Sequence, residues 1–303
     1  MNTNSRQFIG SSLVELLTVI AIFSLLSILG LGAVQKVRSA SEDVSRQNWR
    51  IQHRLGVNIP RKQPIRMLLI GNSFSFFREL PQAIVGLAKS AGHHPAVEIE
   101  TSAFSSHSLE KLWLRPEPRN AINDQSKKWD IVALQEMRGL PVAREGPDGY
   151  GFIFGRESRF VPYARKFHEE IQKQKAITML FMTWKTPALN GLTQAEWTDS
   201  HLKLAKQLQT EVSPVGMAIE KVQLLNPQIA LFDDLYPGHL NTNGVYICAC
   251  AFYAALFHES PIGLPRVIIH PSNNNTTVTA ANALIFQTAA WSAHQETQKR
   301  LRN

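Results

Sequence analysis

The most informative stretch of this 303-residue chain is RMLLIGNSFS, residues 66–75. It begins as a short apolar run closed by Gly71, which predicts a buried strand. Ser73 then stands where that strand would pass into a helix, and backbone N–H groups gather at the start of a helix. A hydroxyl there could attack an acyl carbon while its own N–H helps to hold the oxyanion, or Ser73 or Ser75 could simply cap the helix.

Further along the chain, apolar runs of strand length alternate with stretches of helical spacing. This alternation predicts parallel βαβ units in an α/β domain, with helices on both faces of a mainly parallel sheet. Ligands of such sheets bind beyond the carboxyl ends of the strands, where the irregular residues 139–158 predict a long loop. We predict strands at residues 66–71, 96–103, 129–135, 176–184 and 229–232, and helices at residues 79–92, 160–174, 194–211, 213–225, 244–257 and 277–301.

A second candidate for chemistry lies at residues 233–241, DDLYPGHLN. His239 stands on a Gly/Pro loop before the last buried helices, which suits a general base, although a lone loop histidine is often only a solvated one. Asp233 and Asp234 follow a predicted strand and could orient the imidazole and favour its charged form.

These residues resemble the SGNH, or GDSL-type, hydrolases, in which a serine follows the first strand and a histidine precedes the terminal helix. The motifs GNSFS, WDIVALQE and HLNTNGVYICACAFY occur here in the order of one bacterial branch of that family, over about residues 65–265. The resemblance implies a three-layer α/β/α sandwich of the flavodoxin-like kind. It also implies that Ser73 is the nucleophile and His239 the base that takes its proton.

The resemblance assigns the oxyanion hole to three places in this chain. The first is the N–H of Ser73. The second is Ser106, in the stretch SSHSL where the family has a glycine, and the third is the side chain of Gln135, where the family usually has an asparagine. Glutamine carries the same amide donor on a longer arm.

The fourth family element is an aspartate three residues before the histidine, and this chain has Tyr236 there. Asp234, or Asp233 one residue earlier, would have to reach the imidazole instead. The acid of a Ser-His-Asp triad holds the imidazole in its working orientation.

The N-terminal segment predicts a membrane anchor. Residues 16–34 carry no charge over 19 positions, enough to span a bilayer as a helix in contact with membrane lipid. Glu15 at the edge of this run, preceded by Gly10 and Ser11, resembles the prepilin leader of type IV pilins and pseudopilins. That family is cut after the glycine by a prepilin peptidase, which would leave Glu15 fifth in the mature chain. A signal peptide or simple anchor is the alternative.

The chain therefore divides into a leader and transmembrane helix at residues 1–38, a basic stalk or linker at residues 39–64, and a hydrolase-like domain at residues 65–303. Of the net charge of +8, residues 1–66 carry +6, so the globular part shows no basic face and we expect no nucleic-acid partner. Cys248 and Cys250 face apart on a predicted helix and should not pair. No cofactor is expected, and no metal either, because no His/Cys cluster has ligand spacing.

Two functions fit these patterns. The first is a single-pass, membrane-anchored esterase, facing the periplasm or cell surface, that removes a small acyl group from a polar ester such as an acetylated glycan. The second is a catalytically impaired binding module carried on a pseudopilin-like helix, which the missing family aspartate and glycine favour.

Overall fold

A computed structural model describes residues 8–54, 63–93, 97–137, 157–186 and 191–303. The side chains of residues 8–16, 19–30, 54, 157 and 158 lie outside this description. The chain divides into two compact units, Met1–Asn48 and Trp49–Asn303. The boundary between them falls inside the stretch predicted to be a stalk.

The core of the second unit is a five-stranded, fully parallel sheet with the strand order β2-β1-β3-β4-β5. Its central strands are fully buried, as strands are when helices cover both faces of a sheet. In this order β2 and β3 lie on opposite sides of β1, so the succession of strands changes side there. Ligands of such folds bind outside the carboxyl ends of the strands at that point. The five strands are β1 (Ile65–Gly71), β2 (Val97–Ala103), β3 (Ile131–Leu134), β4 (Ile177–Phe181) and β5 (Glu211–Ser213).

Two groups of helices pack among themselves, and helices of both groups contact strands of the sheet. One group comprises α2, α7, α8 and α9, and the other α3, α4 and α5, with α6 contacting members of both. The predicted α/β fold with a parallel sheet is therefore confirmed. The helices are α1 (Phe8–Arg54), α2 (Leu80–Ser90), α3 (Leu109–Trp113), α4 (Pro116–Asn123), α5 (Glu157–Lys173), α6 (Gln194–Leu208), α7 (Val215–Leu225), α8 (Thr242–Phe257) and α9 (Ala280–Arg302).

The strand predicted at residues 229–232 is wrong. That segment forms only an isolated antiparallel bridge, between Phe232 and Leu240, and the fifth strand is the three-residue β5. Val212 and Ser213 in β5 are completely buried beside β4, so tertiary pairing selects them although three residues carry no periodic signal. A small antiparallel pair, β6 (Val267–Ile268) and β7 (Thr276–Thr277), also lacked a sequence signal.

The N-terminal helix α1 runs without interruption from Phe8 to Arg54. Within the described residues, no helix is both long enough and apolar enough to cross a bilayer. For most of the predicted span at residues 16–34, and for Gly10, Ser11 and Glu15, the structure describes the helical backbone alone.

Candidate active site

Ser73 lies on a short 3-10 turn, Ser73–Ser75, directly after β1. Asn72 caps this turn, because its Oδ1 accepts the Phe74 N–H at 3.1 Å. Gly71 must be glycine for a steric reason. A methyl group there would collide with Ser75 Oγ and lie 2.5 Å from Gln135 Oε1. The sequence therefore sets Ser73 in a tight turn at the carboxyl end of the sheet.

His239 lies on a loop that closes on itself. Its N–H donates to the Tyr236 carbonyl at 3.0 Å, and its carbonyl accepts the Asp233 N–H at 2.9 Å. Trp184, which follows β4, donates its indole N–H to the Gly238 carbonyl at 3.0 Å. Gly238 has a φ of +88°, in the left-handed region that glycine adopts easily. These bonds hold the imidazole over the end of the sheet.

The two predicted catalytic residues meet, although 166 positions separate them in the chain. His239 Nε2 lies 2.8 Å from Ser73 Oγ, the separation of a direct hydrogen bond. With Nε2 as the acceptor, the proton of the neutral ring is on Nδ1, which is the tautomer a general base needs.

Aromatic rings surround this pair. The imidazole of His239 packs edge-on against Phe74, with 5.0 Å between centroids, and against Phe77 at 4.6 Å. Phe74 in turn stacks on Trp184 at 4.8 Å. Tyr236, at the family's aspartate position, leaves 56% of its surface exposed next to Phe77. Aromatic rings therefore pack closely around the Ser73–His239 pair, and the ring of Tyr236 is exposed beside it.

The Asp233 carboxylate accepts hydrogen bonds from its own loop and from Arg78. Its Oδ1 accepts the N–H groups of Leu235 and Tyr236 at 3.0 and 3.1 Å, and its Oδ2 accepts from Arg78 Nε at 3.0 Å. The Arg78 hydrogen bond holds the pKa of Asp233 below its ordinary value. Asp233 thus positions the His239 loop through backbone bonds, while Asp234 is exposed in the following turn.

Ser106 occupies the place of the family's glycine and adopts a glycine-like backbone, with φ of 59°. Its loop is tied to the serine turn, since Asn72 Nδ2 donates to the His107 carbonyl at 3.0 Å and the Phe104 N–H donates to the Gly71 carbonyl at 3.0 Å. Ser106 is exposed, so the left-handed conformation survives without glycine and keeps this loop beside Ser73.

Gln135 supports the turn that carries Ser73. Its side chain is fully buried, and its Oε1 accepts the Asn72 N–H at 2.8 Å and the Ser75 hydroxyl at 3.0 Å. Its Nε2 donates to the Glu136 carbonyl. The amide therefore braces the turn that carries Ser73 from behind.

Three residues of this site were missed by sequence reasoning: Asn72, Arg78 and Glu136. An asparagine directly before a helical turn is a capping signal that could have marked Asn72. Glu136 is buried, and its carboxyl accepts the Leu109 N–H at 3.1 Å and the Met137 N–H at 2.6 Å. Burial raises the pKa of Glu136 to about 8.

The sequence matches no family model and no curated protein. Solved structures do share the fold. A DUF4886 family protein from Bacteroides uniformis superimposes with a TM-score of 0.57 at 20% identity, covering 76% of this chain and 95% of its own. A candidate GDSL-like lipase from Parabacteroides merdae superimposes with a TM-score of 0.50 at 14% identity, covering 66% of this chain and 98% of its own. The α/β fold with a parallel sheet that the sequence predicts is therefore shared with solved structures.

Proposed function

We propose that this protein is a serine esterase that acts through an acyl-enzyme. The observation that carries the proposal is the 2.8 Å contact between His239 Nε2 and Ser73 Oγ at the switch point of the sheet. The shared fold agrees with this reading but does not establish it, because fold alone does not fix activity.

The chemistry follows from the pair. His239 takes the Ser73 proton as Oγ attacks the acyl carbon, and the imidazolium then protonates the departing alcohol. Water, deprotonated by the same imidazole, cleaves the acyl-serine and restores the hydroxyl. The N–H groups of Ser73 and Ser106 face the developing oxyanion in this scheme, the first because the leading N–H groups of a helical turn have no partner within it.

The substrate we propose is a small acyl ester of a carbohydrate, such as an O-acetyl group. Phe74 packs against the imidazole and Trp184 stacks on Phe74, and we expect this packing to favour a small acyl group. The exposed face of Tyr236 beside the pair offers a surface on which a sugar ring can stack.

A binding module without turnover is the second candidate. Two observations favour it: the Gln135 amide is engaged in bracing the serine turn, and the Asp233 carboxylate is engaged by Arg78. Such a module would bind a glycan against the same exposed ring of Tyr236.

A fluorophosphonate probe separates the two candidates. The full-length protein in mild detergent is expected to be labelled on Ser73, and labelling should vanish in Ser73→Ala and fall sharply in His239→Ala. Ser260→Ala, which removes a serine distant in sequence, is the matched control. A well-folded protein that takes up no label would leave the binding module as the surviving candidate. Release of acetate from 4-nitrophenyl acetate and acetylated xylan then tests the substrate class.

We further propose that residues 16–34 anchor the protein in a bilayer, with the esterase domain outside the cytoplasm. The uncharged sequence and the continuous helix α1 support this. The full chain should sediment with membranes, and a chain lacking residues 1–38 should not. A mature mass lacking residues 1–10 would establish cleavage by a prepilin peptidase, whereas an intact N-terminus would favour a simple anchor.

A further inference from the structure

A second cluster of polar side chains is buried within Trp49–Asn303, away from the serine. His53 on the last turn of α1, Glu211 at the amino end of β5 and His258 at the carboxyl end of α8 each present one ligand atom, and these atoms all lie within 4.8 Å of one another. Ser73 follows the carboxyl end of β1, so the cluster belongs to the opposite end of the parallel strands. We propose that these three residues bind a divalent cation of the zinc class.

The residue types suit such an ion. Two imidazoles and one carboxylate form a common zinc ligand set with one position left for water. Ligands bonded to one zinc ion at about 2.0–2.2 Å stand roughly 3.3 Å apart, so small side-chain rotations would close the site. His53 exposes 1% of its surface and Glu211 7%. A cation bound among these side chains would balance the negative charge of the Glu211 carboxylate.

His294 supplies the outer contact that a ligating histidine usually has. Its Nε2 lies 3.2 Å from His258 Nδ1, which turns the other nitrogen of His258 toward the cluster. That nitrogen, His258 Nε2, is buried. This arrangement is expected of a ligand whose ion is held on one nitrogen and whose orientation is fixed through the other.

A cavity lies next to one member of the cluster, His258. His258 and His294 line a cavity of about 390 Å³ that is also lined by Trp291, Lys299 and Arg302 on α9. Lys299 and Arg302 oppose a cation there, so the attraction must come from Glu211. The site could not be predicted from the sequence, because His53, Glu211 and His258 lie far apart along the chain and metal motifs are recognised by close spacing.

The test is metal binding by the untagged full-length protein, stripped with a chelator and then titrated with Zn²⁺. We expect about one ion per chain, and Co²⁺ should give the visible absorption of a four-coordinate site. His53→Gln and Glu211→Gln should abolish both signals. His294→Gln should weaken binding by about 10- to 100-fold, since outer contacts tune affinity by that factor.

His93→Gln is the matched control, because His93 Nε2 pairs with a Glu259 carboxylate oxygen at 2.9 Å outside the cluster. This variant should bind Zn²⁺ as the wild type does. Folded wild-type protein that takes up no stoichiometric Zn²⁺, or binding that survives in both ligand variants, would overturn the proposal. The wild-type titration decides the matter even if a variant fails to fold.

Discussion

Arg78 Nε lies 3.0 Å from Asp233 Oδ2, and this contact joins the segment after the serine to the loop that carries the histidine. Arg78 itself has a φ of 51°, a left-handed backbone that a non-glycine residue adopts only when its surroundings hold it there. The ion pair therefore sets the distance between two otherwise separate parts of the site.

Arg78→Ala should loosen the contact between Ser73 and His239 without removing either group. We expect the rate of fluorophosphonate labelling to fall by about 10- to 100-fold, because small misplacements of a reacting pair cost factors of that order. Arg300→Ala, which removes an exposed pair with Asp199, is the control and should leave the rate unchanged. A labelling rate equal to wild type in Arg78→Ala would show that the pair does not position the histidine.

Gln135→Leu should lower the free energy of unfolding by about 1–3 kcal/mol, because the buried N–H of Asn72 and the hydroxyl of Ser75 lose their hydrogen-bond acceptor. Urea unfolding measures this change, and Gln125→Leu on the surface is the control. Loss of activity with unchanged unfolding free energy would instead point to a direct contact between the Gln135 amide and the oxyanion.

Glu136 should make the protein less stable as the pH rises. Burial keeps the pKa of Glu136 at about 8 in the folded protein, whereas the carboxyl has its ordinary pKa of 4.5 in the unfolded chain. Between these values the folded state binds more protons, so the free energy of unfolding falls with increasing pH, by at most about 1.4 kcal/mol per unit from this group.

Glu136→Gln keeps a carbonyl acceptor for the Leu109 N–H but cannot ionise. We expect urea unfolding at pH 5, 6, 7 and 8 to give a flatter profile for this variant than for the wild type. Parallel profiles would show that Glu136 does not titrate in this range.

Ser106→Gly should preserve activity, because the backbone N–H and the left-handed φ are what this position supplies. Relief of the left-handed strain, worth about 1–2 kcal/mol, is partly offset by the greater freedom of glycine in the unfolded chain. Steady-state esterase assays should therefore agree with the wild type, with equal or slightly higher stability. A large loss of activity would reveal a role for the serine hydroxyl.

The main elements of the fold could be predicted from local patterns. Local patterns made Ser73 and His239 candidates, and the resemblance to SGNH hydrolases paired them. A buried strand has a continuous apolar signal, and parallel strands bring the residues that follow them to one edge of the sheet. Strand β5 could not be predicted, since pairing with β4 alone decides its three residues.

The direction of a side chain also escaped prediction. The sequence places Gln135 after β3 in either case, but only packing decides whether its amide faces a substrate or the Asn72 N–H behind it. The same holds for Asp233, whose neighbour in space is 155 positions away.

The bonding of Asp233 has a consequence for tracing relatives by sequence. The aspartate that organises the histidine loop stands six residues before His239, and its partner Arg78 stands five residues after Ser73. A search pattern with the acid three residues before the histidine would pass over such chains. In an alignment of relatives these two positions should covary, because an aspartate this buried is poorly tolerated once its guanidinium partner is gone.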